Sequence, residues 1–178
     1  MKENRASEKI MSETSMLLGR IKQTPEQDIF KEHGRALEGL IKRLFEIDIH
    51  YTRKENQLFP MLEFRHFTGP SQVMWSIHDD IRAYLKKTRE AFARKDFLQT
   101  EKSLKEAIQT IRDMIYKEEH ILFPASLDML TQKEWIKVKE GEADIGFSWV
   151  VPDKGWPQEI IEEVEEGVPG KPVEVLKD

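Results

Sequence analysis

Lys54-Glu55-Asn56-Gln57-Leu58-Phe59-Pro60 and Glu118-Glu119-His120-Ile121-Leu122-Phe123-Pro124 are two versions of one pattern. Aligned on Leu-Phe-Pro, each sets ionisable side chains at matching depths of a helix, just before a proline. His50 stands four residues upstream of Lys54 in the first, and His33 and His78 fall in two further helical stretches. Ionisable side chains carried inward by several helices read as a ligand set pointing into a helical bundle.

The rest of the chain fits that reading. Residues 3–22 form a helix whose apolar content is Ile10, Met11, Leu17, Leu18 and Ile21. Thr24-Pro25-Glu26-Gln27 then offers a capping threonine, a first-turn proline and a glutamine at the capping-box position. His33, Leu37, Leu40 and Leu44 follow at helical spacing, which puts His33 on an apolar stripe. Thr68-Gly69-Pro70-Ser71 breaks the pattern, and Met74, His78, Ile81, Leu85 and Thr88 line one face after it. Asp96-Phe97-Leu98-Gln99 opens another helix with the stripe Leu104, Ala107, Ile108, Ile111, Met114 or Ile115, Glu118 and Leu122, so Glu118 is an acid on an inward face. Thr131-Gln132-Lys133-Glu134 starts a short helix that Gly141 ends. From Ile145 the chain reads as an irregular arm docked by Trp149 and Trp156, with a loose tail. The expected organisation is an N-terminal accessory helix over 1–23, a helical bundle over 24–144 and an arm over 145–178.

Between His33 and Phe59 no turn signal is stronger than Gly39, although Leu40-Ile41-Lys42-Arg43-Leu44-Phe45 looks helical. A hairpin centred near residue 42 would bring His33 and His50 to one level, and this tight connection is the expectation. An unbroken helix over 25–59 would instead hold them about 25 Å apart at about 1.5 Å per residue. The bundle would then need a second chain, as in a swapped homodimer.

Composition narrows the chemistry. The 178 residues suffice for one good core. A net charge of -5 without a basic block gives no support to nucleic-acid binding. The absence of cysteine excludes disulfides, thiolate-bound zinc, iron–sulfur clusters and thiol nucleophiles. No apolar run approaches the roughly 18–20 residues of a membrane span, and no signal-peptide core follows the charged start, so a cytoplasmic protein is expected. Nothing resembles a nucleophile–base pair or a phosphate-cradling glycine loop, and catalysis without a metal is not expected. Imidazole and carboxylate are ligands for iron, manganese and zinc, and bundles hold such sites on facing helices. The candidates are His33; His50 with Glu55; His78; and Glu118 with Glu119 and His120.

Glu32-His33-Gly34-Arg35-Ala36-Leu37-Glu38, His50 through Pro60, Met74-Trp75-Ser76-Ile77-His78 and Glu118 through Pro124 together resemble a hemerythrin-like HHE cation-binding domain. The resemblance is to the branch found before PAS sensor domains, and it covers residues 25–140. It implies an up-down four-helix bundle with a non-haem iron site, mononuclear or dinuclear, used for oxygen, nitric oxide or redox sensing or for iron handling. It carries His33, His50, His78 and Glu118 over as ligands, with Glu55, Glu119 and His120 as substitutes. The chain departs from the family pattern twice. Lys54 stands where a glutamate follows the second-helix histidine, and Met114 stands where the fourth helix carries a histidine. Four ligands suit one metal better than two, and the Lys54 charge takes the place of a second ion. Zinc or haem on the imidazoles is an alternative, and a structural or interaction module with a decayed site is another. A gas or redox ligand and a signalling protein are the expected partners.

Overall fold

The computed structural model describes residues 1–151. Those residues form helices and short turns, without a strand among them. Helix α1 runs from Lys2 to Ile21, and α2 from Ile29 to Phe45 after a single 3-10 turn at Glu26–Asp28. Next come α3 (Ile47–Arg53), a π-helical turn at Lys54–Leu58, and α4 (Phe59–Phe64). The long helices α5 (Gly69–Ala93) and α6 (Phe97–Lys117) follow. A second π-helical turn (Glu118–Leu122) leads into α7 (Phe123–Met129), and α8 (Gln132–Glu140) and α9 (Glu142–Ile145) end the helical part.

These segments make four rods: α1; α2 to α4; α5; and α6 with α7. The first and third rods each pack against α2 and against α6, so the four close into a ring. Short turns reverse the chain between rods, which gives up-down topology. His66 and Lys95, with φ of 62° and 58°, take the left-handed conformation in two of these turns. The Asp96 side chain then caps α6 by accepting from the Gln99 N–H, and Thr131 with Glu134 forms a full capping box on α8. The apolar stripes meet in one core that includes Ile10, Met11, Leu37, Leu44, Phe59, Ile81, Leu85, Leu104 and Ile111.

The hairpin expected near residue 42 does not exist. Leu37, Ile41 and Leu44 are buried at helical spacing, and the helix runs straight past Gly39 to Phe45. It tightens only at Glu46, whose N–H bonds back to Arg43 O, and restarts at Ile47. Helix α1 provides the wall that folding back at residue 42 was expected to provide. The start expected at Thr24 also shifts: Thr24 caps nothing, and its hydroxyl is 2.9 Å from His33 Nε2.

Of the expected arm, the structure describes only the first residues after α9. Trp149 packs against the core and its indole N–H donates to Arg43 O at 2.8 Å. Trp156 lies outside the described residues. No helix among the described residues is long and apolar enough to cross a membrane.

Candidate metal centre

The Leu-Phe-Pro rhyme has a structural cause. Proline lacks an N–H, and inside an α-helix its ring collides with the carbonyl four residues back. In each repeat the turn before the proline widens instead. Phe59 N–H bonds to Lys54 O and Phe123 N–H to Glu118 O, each five residues back. The prolines therefore neither end nor sharply break their rods. Within the wide turn, successive side chains rotate less far around the axis than in an α-helix. Lys54 and Glu55 both end up buried, although they are neighbours in sequence.

His50 and His78 are held in matching ways. The Nδ1 of His50 is 2.7 Å from Glu3 Oε2, and Arg53 pairs with the same carboxylate. The Nδ1 of His78 is 2.7 Å from Glu55 Oε1, and Arg82 grips that carboxylate through two nitrogens at 2.9 and 2.8 Å. A carboxylate on Nδ1 fixes the tautomer and leaves Nε2 as a lone-pair donor. The His78 Nε2 is buried and has no hydrogen-bond partner. The His50 Nε2 faces Glu118 Oε2 at 3.2 Å and touches Lys54 Nζ. Glu118 is fully buried, and its other oxygen is 3.0 Å from Lys54 Nζ. Tyr51 stacks on the His78 ring with centroids 3.9 Å apart, and its hydroxyl finds no partner.

Burial and charge oppose each other here. Burial pushes the Glu118 carboxyl up, but the Lys54 charge and then His50 outweigh it and hold the group well below the usual carboxylate range. Glu3 is held low in the same way by its bonds from His50 and Arg53. Burial pushes the Lys54 ammonium down, against the pull of Glu118. Burial also pushes His78 down, which favours the neutral imidazole that a ligand must be.

Of the residues singled out from sequence, the structure brings His50, Glu55, His78 and Glu118 into one buried centre. His33 is not there. It lies 17 residues from His50 along almost continuous helix, bonded to Thr24 and partly exposed. Glu119 faces the start of α1, accepting from Asn4 at 3.1 Å and pairing with Arg5. His120 is exposed, with its Nδ1 2.9 Å from Tyr116 O and its ring stacked on Tyr116. Sequence reasoning missed Glu3, Arg53, Arg82 and Tyr51. Glu3 had a readable signal, since Glu3, Ser7, Ile10, Thr14 and Leu18 continue one buried stripe of α1.

The donor set of two tethered imidazoles and a buried carboxylate suits a borderline cation, and the orphaned His78 Nε2 is a free ligand position. The Lys54 ammonium already stands against His50 Nε2 and Glu118 as a positive group. Among the described residues, however, no three His, Asp or Glu side chains converge closely enough to form a ready-made metal cluster. The donors that lie together here, His50, His78 and Glu118, are of the chemistry that would hold one borderline cation.

A closed four-helix bundle with histidine and carboxylate on its axis defines a class of helical proteins with a buried polar centre. A scan of protein families matches the hemerythrin HHE cation-binding domain over residues 13–126. The chain belongs to that family, and with it to helical cation-binding domains whose ion is typically iron. The match begins inside α1 and ends inside α7, so it takes in part or all of each rod. A search of curated proteins finds no match.

Proposed function

We propose that this protein binds a single cation, iron first among the candidates, on His50 Nε2, His78 Nε2 and Glu118. It would use that ion for oxygen, nitric oxide or redox sensing in the cytoplasm, with a partner protein reading the outcome. The observation that carries this reading is the pair of Arg–Glu–His tethers. Arg53–Glu3–His50 and Arg82–Glu55–His78 each use an ion pair to fix an imidazole by its Nδ1, which is how ligand histidines are oriented; the His78 Nε2 is left without a partner, and the His50 Nε2 lies against Glu118 and Lys54. Bound iron would supply an open coordination position and a one-electron couple. The chain's own residues orient the ligands and exclude water; burial favours a neutral His78, and the Lys54 charge favours an ionised Glu118. Because ligands come from α3, α5 and the turn after α6, a change in their spacing would move three rods together.

A second reading rests on Lys54. Its ammonium meets Glu118 and His50 without any ion, so the bundle could serve as an interaction module with a polar core. Thermal unfolding with and without chelator separates the two. A folded-state ligand adds stability by mass action, so chelation lowers Tm in the native protein, and the His50→Ala and His78→Ala variants lose that sensitivity. An unchanged Tm in both the native protein and the variants, after incubation with ferrous iron, favours the interaction module.

A further inference from the structure

Lys54 sits where a cation would sit. Its Nζ is 3.0 Å from Glu118 Oε1 and in contact with His50 Nε2. His50 Nδ1 lies against Glu3, and its Nε2 is 3.2 Å from Glu118 Oε2. The two atoms that would hold an ion therefore lie side by side, with the Lys54 ammonium against both residues. The ion pairing is complete without a metal: Glu3 has Arg53, Glu55 has Arg82 and Glu118 has Lys54. Lys54 also stands one helical turn after His50, the position from which a carboxylate would add another ligand.

The geometry points to Lys54 as a built-in competitor for the metal position, an inference that rests on reading His50, His78 and Glu118 as ligands. An ion taking His50 Nε2 and Glu118 meets a tethered positive charge on those same atoms. Ion and ammonium exclude each other by charge and by space, and the ion enters only as the Lys54 side chain withdraws. Lys54 thereby weakens binding and holds the centre to one ion.

The test is calorimetric titration of the full chain with zinc(II) and, anaerobically, with ferrous iron. It compares the native protein with Lys54→Gln, which keeps a donor, and Lys54→Glu, which adds a ligand; circular dichroism confirms helix content. Lys54→Gln binds at least tenfold more tightly than the native chain, a difference of about 1.4 kcal/mol. Lys54→Glu binds more tightly still or takes more than one ion. If it folds only with metal, that too supports the competitor role. Binding by Lys54→Gln but not by the native chain supports the role of Lys54 and refutes metal binding as a native property. Equal affinity in all three, abolished by His50→Ala, overturns the role of Lys54 and leaves the metal reading standing. No binding by any folded version overturns both.

Discussion

Glu118 is fully buried and yet charged, because Lys54 and His50 hold its proton off against the pull of burial. Glu3 and Glu55 are depressed in the same way by their histidine and arginine partners. A carboxylate whose folded pKa lies below its unfolded value, about 4.3 for Glu, contributes stability that is present above that pH. The contribution is lost as pH falls toward the folded value. His78 acts at a higher pH. Burial lowers its pKa, so below about 6.5 the unfolded chain takes up a proton that the folded chain refuses. The metal-free protein should therefore lose stability in two stages on acidification, first below about 6.5 and again below about 4.5. Urea midpoints measured from pH 7.5 to 3.5 check this, and a flat profile down to pH 5 would contradict it. Tyr51 gives the opposite kind of prediction. Its hydroxyl is buried without a partner, and such a group costs about 1–3 kcal/mol. Tyr51→Phe keeps the stacking on His78 and should leave stability unchanged or raise it by about 1 kcal/mol in urea unfolding. A loss of about 2 kcal/mol would mean that the hydroxyl is bonded in solution.

At the scale of elements, the two π-helical turns and the start of α1 shape the centre. Each wide turn is a response to a proline, and each begins at a residue of the centre, Lys54 or Glu118. Helix α1 enters through Glu3, which meets His50 and Arg53 on α3 and accepts the Ser148 N–H at 2.8 Å. One carboxylate thus ties α1, α3 and the arm together. Glu3→Ala would remove the carboxylate that Arg53 and His50 share, leaving Arg53 only the Gly146 carbonyl and the more distant Glu142, and breaking a buried pair in this way costs about 3–5 kcal/mol. Amide hydrogen exchange should quicken in residues 2–7 and at Ser148 while the far end of α5 stays protected. Uniform exchange across the chain would place the Glu3 contribution elsewhere.

Much of this was legible in the sequence. The stripes that include Glu118 and His78 give those residues their inward positions, because helical spacing alone fixes which side chains share a face. The caps at Asp96 and Thr131 are local chemistry and read correctly. A hairpin near residue 42 would level His33 and His50, but the segment's own pattern is helical, and the local pattern prevails. The burial of Glu55 beside Lys54 was not legible, since α-helical spacing sends neighbours about 100° apart and the wide turn that overrides it follows from Pro60. The contact of Glu3 with His50 joins residues 47 apart, and no local signal encodes the partner.

At the scale of the whole molecule, the bundle closes through one chain's own helices around a centre that carries equal numbers of carboxylates and cationic partners. The family is one of cation-binding domains, and in the proposed single-ion reading the departures at Lys54 and Met114 bear on how many ions the chain takes. Met114 is fully buried among the apolar residues of α6, so that position adds packing where a ligand would add a second site. One ion per chain is therefore the central claim. The most direct test is to purify the protein without chelator, incubate it anaerobically with ferrous iron, remove the excess and count metals per chain by plasma mass spectrometry. The account predicts about one iron per chain, falling to none in His78→Ala. Two irons per chain, or one that survives the loss of His78, would contradict it.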